Sequence, residues 1–189
     1  MKEKELIKIF EDCKALLSGH FLLRSGLHSD RFFQAALILQ YPAYAKMICS
    51  ELAKKIDLKE KVDAVISPAI GGIIVGHELA AAIGVKSIFA EKENDNLVLR
   101  RGFSIERGQK IIVAEDVVTK GGRSQQTIDL VRSYEAEPVC LAVLVDRSGG
   151  TASFDVPFTS LIKLDLQSWE AAKCPLCKQG IPIVKPGSK

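Results

Sequence analysis

The 189-residue chain has no apolar run approaching the roughly 20 residues that span a bilayer. It has no large excess of either charge: 26 Lys+Arg stand against 23 Asp+Glu, for a net +3. So small a surplus gives no reason to expect nucleic acid or an anionic membrane as partner, and any anion must be gripped locally by a few residues. Internal repeats and low-complexity tracts are absent. The N-terminus, Met1-Lys2-Glu3-Lys4-Glu5, carries acids as well as bases and runs into an amphipathic pattern, so it does not read as a secretory signal. A cytoplasmic protein is expected.

Cysteine is sparse and odd in number: Cys13, Cys49, Cys140, Cys174 and Cys177. A secreted disulfide framework is denser and even. Cys174-Pro175-Leu176-Cys177 has the spacing of half a zinc site, yet no second CxxC and no neighbouring His completes the four ligands that structural zinc needs. Plain thiols near a chain end are the expectation, with an intersubunit metal or a redox role as the alternatives, and no resident metal ligand is assigned. His20, His28 and His77 show no ligand spacing. Nucleotide fingerprints are missing too. Gly71 to Gly76 has Walker A glycine spacing, but His77-Glu78 follows instead of Lys-Ser/Thr, and GxGxxG does not occur.

What is present is an ordinary globular composition, 47% hydrophobic and 26% charged, at a length that suits one domain. Leu6, Phe10, Cys13 and Leu17 recur at helical spacing over residues 3–18. Residues 21–23 and 32–39 read as strands around a polar turn, and Pro42 opens a second helix. From residue 62 the rhythm changes. Four short apolar runs, at residues 62–66, 85–90, 111–114 and 139–145, alternate with helical stretches through Ala82 and Tyr134. That alternation predicts an α/β fold whose mostly parallel sheet is flanked by helices. The expected organisation is an N-terminal cap over 1–60 and a core with C-terminal tail over 61–189, together one structural domain. Glu91 to Arg107 is expected to project as a hairpin or long loop.

Chemistry concentrates in Ile111 to Ser124, where a buried strand ends in Glu115-Asp116 and is followed by Val117-Val118-Thr119-Lys120-Gly121-Gly122-Arg123-Ser124 and a helix. Ligands of open α/β sheets bind at the carboxyl ends of strands. The glycine pair lets backbone N–H groups approach an anion, and the helix N-terminus adds partial positive charge. Two carboxylates would repel a bare polyphosphate, but they suit the vicinal hydroxyls of a ribose phosphate.

This segment resembles the ribose-phosphate motif of type I phosphoribosyltransferases. Further stretches resemble the orotate branch of that family: Leu23-Arg24-Ser25-Gly26 with Arg31-Phe32-Phe33 its N-terminal hood, Ser67 to Gly72 its pyrophosphate loop, and Leu144 to Gly150 its orotate-facing strand end. The resemblance implies that fold with its hood, and transfer of a phosphoribosyl group from phosphoribosyl pyrophosphate to orotate in pyrimidine biosynthesis. It implies Mg²⁺, held mainly by the pyrophosphate and ribose hydroxyls, and a homodimer with a shared active site. Lys92 and Asp116 would be catalytic. Glu115 and Asp116 would hold the ribose hydroxyls, Val117, Val118, Thr119, Lys120, Gly121, Gly122 and Arg123 would line the phosphate site, and Lys92 would meet the pyrophosphate. Thr119, Arg147, Phe32 and Phe33 would contact orotate, and the loop from Glu91 to Arg101 would close over the pyrophosphate. Two other readings compete, a purine-base phosphoribosyltransferase and a non-catalytic sensor of the ribose ligand on the same fold.

Overall fold

The structure, a computed structural model, describes residues 1–23 and 25–186. Arg24 of the hood turn lies outside the described residues. The chain divides into two compact units, one of residues 1–38 with the segment from Asp165 onward, the other of residues 39–164. The sequence-based division placed the tail with the core and residues 39–60 with the cap. Both assignments change. The tail gains its strand partners in the N-terminal unit, and the second helix lies on the sheet.

In the larger unit, β3 (Ala64–Pro68), β4 (Lys86–Glu93), β5 (Asn96–Leu99), β6 (Lys110–Val118), β7 (Glu137–Asp146) and β8 (Phe158–Lys163) form one sheet in the order β5-β4-β3-β6-β7-β8. All pairs are parallel except β4 with β5. The expected α/β architecture is present, with β8 added beyond the fourth apolar run. Period-2 alternation sorts the side chains. Ala64 and Ile66, Ile111 and Val113, and Leu141 and Val143 join a core with Ile128 and Val131 of α5 (Gly122–Ser133). α3 (Pro42–Lys55) and α4 (Gly72–Ile83) pack on each other and on the sheet. The central strands β3, β6 and β7 are buried on both faces, which is why they read as continuous apolar runs.

The hairpin expectation for the polar stretch holds at its front. β4 and β5 pair antiparallel around Asn94 and Asp95, both at positive φ (47° and 71°), the backbone of a type I′ turn.

In the smaller unit, α1 (Glu3–Asp12) is shorter than the periodicity predicts. Lys14 takes φ 55°, and β1 (Leu16–Leu22) begins where a helix was expected, because Leu16-Leu17 satisfies a strand period equally well. β2 (His28–Phe33) pairs with β1 and stops at Phe33. Ala36–Leu39, expected as strand, is instead a short helix, α2, introduced by Leu37 N–H to Gln34 O and Ile38 N–H to Ala35 O. Its Ala and Leu residues are good helix formers. From the tail, β9 (Ser168–Trp169) adds to β2, and Val184 bonds β1 on both sides: Leu22 N–H to its carbonyl (2.9 Å) and its N–H to His20 O (2.8 Å). No helix among the described residues is long and apolar enough to cross a membrane.

Candidate active site

The sheet order places a topological switch between β3 and β6: β3 is followed by β4 on one side, β6 by β7 on the other. Pairing of β3 with β6 ends at Ile66↔Val113, while β6 continues beside β7 to Val118↔Asp146. The two strands therefore separate at their carboxyl ends, where open α/β sheets bind ligands. Glu115 and Asp116 stand on the β6 side of the opening, and the loop Pro68–Gly72 stands on the β3 side.

The fit between the two sides is tight. A Cβ on Gly71 would lie 2.7 Å from Asp116 Oδ2, and one on Gly72 would lie 3.1 Å from Glu115 Oε1. Glycine at both positions leaves room for the carboxylates. Val117 N–H donates to Asp116 Oδ1 at 2.9 Å, and Asp116 N–H to Glu115 Oε1 at 3.2 Å. Glu115 is only 6% exposed. Burial and then the Asp116 charge push its carboxyl up to about 9 from an ordinary 4.5, so at neutral pH the pair carries less than two negative charges.

Beyond Val118 the chain bends through Thr119 and Lys120, both exposed, into Gly121 at φ 77°. That backbone favours glycine, and a Cβ would also meet Phe154 Cζ at 2.7 Å. The first hydrogen bond of α5 runs from Gln125 N–H to Gly121 O. The N–H groups of Gly122, Arg123 and Ser124 precede that bond and are free to bind an anion. Arg123 is exposed and reaches Ala69 O at 3.5 Å, across the opening. Val118 and Ser124 turn their side chains inward, so they can serve a ligand through backbone alone, whereas Val117 is half-buried.

Arg147 joins this end of the sheet. It follows directly on β7, and its N–H donates to Val118 O at 2.8 Å. The side chain is half-buried, and its Nε is buried without a hydrogen-bond partner. Burial lowers its pKa from the ordinary guanidinium value. A desolvated cation with an unused donor is built to receive an anion.

The remaining expected residues are not gathered here so directly. Lys92 lies on the β4–β5 hairpin and pairs with Asp95 at 2.5 Å. Arg100 pairs with Glu93 and Arg101 with Glu91, so the basic residues of the hairpin each hold an acid of the same hairpin. The aromatic pair divides. Phe33 is buried against Phe10, ring centroids 5.2 Å apart, while Phe32 is half-buried beside Phe21. Of the two, Phe32 is the more accessible. Gly71 and Gly72 were read from the sequence only as part of a loop, and their contact with the acids is visible only in three dimensions.

No His neighbours Cys174 and Cys177 in sequence, but His20 and His28 stand beside them in space.

Comparison with known proteins agrees with this geometry. The model of the phosphoribosyl transferase domain matches residues 38–176. The orotate phosphoribosyltransferase of Caldanaerobacter subterraneus subsp. tengcongensis is 48% identical over 189 residues, all of this chain and 99% of that protein. That of Thermotoga maritima is 47% identical over 182 residues, 96% of this chain and 97% of that one. The crystal structure of orotate phosphoribosyltransferase from Aeropyrum pernix superposes with a TM-score of 0.73 at 23% identity, covering 93% of this chain and 98% of that one. Adenine phosphoribosyltransferase from Thermoanaerobacter pseudethanolicus shares the fold with a TM-score of 0.63 at 19% identity, covering 71% of this chain and 88% of that one. With the domain model matched over most of its length and these relatives aligned end to end, the chain belongs to the phosphoribosyl transferase family.

Proposed function

We propose that this protein is an orotate phosphoribosyltransferase, which moves the 5-phosphoribosyl group of phosphoribosyl pyrophosphate onto orotate, giving orotidine 5′-monophosphate and pyrophosphate. The observation that carries this reading is the bond from Arg147 N–H to Val118 O. It places a desolvated cation next to the strand end bearing the acid pair and the phosphate turn. A purine has no carboxylate to satisfy such a cation, and orotate has one. The full-length relatives named above support the same substrate.

In this reading the turn from Thr119 to Arg123 holds the 5-phosphate through backbone N–H groups, with Lys120 and Arg123 adding charge. Asp116 accepts a hydrogen bond from a ribose hydroxyl. Glu115, whose protonated form burial and the Asp116 charge favour, can accept from the neighbouring hydroxyl and, when protonated, donate to it. Thr119 and Arg147 orient orotate. As the bond to pyrophosphate breaks, positive character builds on the ribose and negative charge on the leaving group. Asp116 faces the first, and Lys92 is assigned to the second. The Lys92–Asp95 pair does not hold Lys92 back: Asp95 is 91% exposed, and solvent screens a surface pair of this kind. Bond formation at the orotate ring nitrogen releases that nitrogen's proton to solvent or to the departing pyrophosphate, and catalysis rests chiefly on positioning and electrostatics.

Mg²⁺ fits this site as a companion of the substrate. Glu115, with its raised pKa, is a poor partner for a hard cation, and Asp116 is the half-exposed oxygen donor beside it. Held with the substrate beside Asp116, such an ion would supply neutralisation of charge on the leaving group. We further assign the protein to the cytoplasm as a homodimer with a shared active site.

The test is a panel of bases offered with phosphoribosyl pyrophosphate and Mg²⁺. Orotate should support pyrophosphate release, and hypoxanthine, guanine and adenine should not. Turnover with a purine alone would reject the assignment.

A further inference from the structure

The tail of the chain poses a physical problem. From residue 165 to 186, Cys174 is the one side chain that is buried, at 0% exposure. A segment that buries so little apolar surface gains little from the hydrophobic effect to hold it in place. Main-chain bonds fix it to β1 and β2 at Trp169 and Val184. Between those two attachments, Cys174 stands at the N-terminus of the short helix α6 (Pro175–Lys178) and Cys177 lies within it, and both face two histidines of the hairpin.

We propose that His20, His28, Cys174 and Cys177 form a structural zinc site that staples the tail to the N-terminal hairpin. The donor atoms of all four lie within 4.8 Å of one another. His20 Nε2 is 2.9 Å from His28 Nδ1 and 3.5 Å from Cys174 Sγ. Cys177 Sγ is 3.3 Å from His28 Nδ1 and 3.7 Å from His20 Nε2. Zinc bonds of about 2.0–2.1 Å to nitrogen and 2.3 Å to sulfur give tetrahedral edges of roughly 3.3–3.8 Å. Three of the four separations lie in or within a few tenths of that range, and the two imidazole nitrogens need to part by only a few tenths of an ångström.

The surroundings favour ligation as well. His20 Nδ1 is 2.7 Å from Ile181 O, a carbonyl of the tail itself. Donation of Nδ1–H to that oxygen leaves the lone pair on Nε2, the atom that faces the cysteines. His20, His28 and Cys174 are buried, while Cys177 is exposed, which leaves one side open for the ion to enter. Two thiolates with two imidazoles select zinc over Mg²⁺ or Ca²⁺, and four protein ligands close the shell, as structural sites require. Each thiol releases its proton to solvent on ligation, and no redox step is involved. The site lies wholly within the smaller unit and is independent of the catalytic assignment.

The test uses the full-length protein without a polyhistidine tag. Elemental analysis after equilibration with Zn²⁺ and desalting should find about one zinc per chain. Replacement by Co²⁺ should produce visible ligand-field bands of a tetrahedral ion together with thiolate-to-cobalt charge transfer. C177S should lose about half of that charge transfer and weaken zinc binding at least tenfold or so. Chelation under reducing conditions should lower the melting temperature and open the tail to protease. The proposal is overturned if the reduced protein retains less than about one-tenth equivalent of zinc. It is equally overturned by a Cys174–Cys177 disulfide that forms in place of metal binding, or by a cobalt spectrum that C177S leaves unchanged. The wild-type metal content decides the matter even if the variant does not fold.

Discussion

Gly71 lies so close to Asp116 that a single methyl group on its Cα would stand 2.7 Å from the carboxylate oxygen. The loop assigned to pyrophosphate and the acid assigned to the ribose thus set each other's position, although they come from different strands. Gly71→Ala should displace Asp116 or the loop, at about 1–3 kcal/mol for overpacking. The expected result is a raised KM for phosphoribosyl pyrophosphate with a lowered melting temperature, read by steady-state kinetics and thermal unfolding. Unchanged kinetics would mean that the two sides of the opening are not coupled.

The two acids should separate on mutation. Asp116→Asn alters the more accessible carboxylate and should reduce kcat/KM by about a hundredfold or more, on the scale of lost charged hydrogen bonds and electrostatic stabilisation. Glu115→Gln mimics the protonated form that burial and the Asp116 charge favour, and should be the milder change. Kinetics of the two variants side by side check this ordering.

Glu115 also predicts a pH dependence of stability. Its folded pKa, about 9, lies above its ordinary 4.5. Stability from this group is therefore complete below the ordinary value and is lost as pH rises through the folded one. Denaturant midpoints should fall between neutral and alkaline pH in the parent protein, and Glu115→Gln should fall less. Parallel curves for the two would remove Glu115 from the account.

Arg147→Ala should chiefly raise the KM for orotate, by roughly ten- to a hundredfold for a lost charged hydrogen bond. Its Nε has no partner to abandon, so the melting temperature should change little. Lys92→Ala should lower kcat while leaving the melting temperature nearly unchanged, because the Asp95 pair is a solvent-screened surface one. A Lys92 variant with full kcat would return that residue to the role of a solvated hairpin charge.

Much of the sheet was legible because parallel strands buried on both faces leave continuous apolar runs such as Ile111 to Ala114. The acid pair and the glycine turn were legible because they are contiguous. What stayed hidden depends on contacts distant in sequence or on local ambiguity. β8 (Phe158-Thr159-Ser160-Leu161-Ile162-Lys163) is a sheet edge with a mixed pattern that announces no strand. Leu16 and Leu17 fit helix and strand periods alike. The tail looked like a surface appendage because its anchors are main-chain bonds at Trp169 and Val184, and backbone pairing leaves no mark on side-chain pattern. For the same reason His20 and His28 could not be matched to Cys174 and Cys177, which lie at the far end of the chain.

The most direct measurement is an experimental structure with phosphoribosyl pyrophosphate and Mg²⁺ bound. The 5-phosphate should lie on the backbone N–H groups from Thr119 to Arg123, with the ribose diol on Asp116 and Glu115. A ligand bound elsewhere, with the turn at Gly121 vacant and Asp116 directed away from the sugar, would contradict the account.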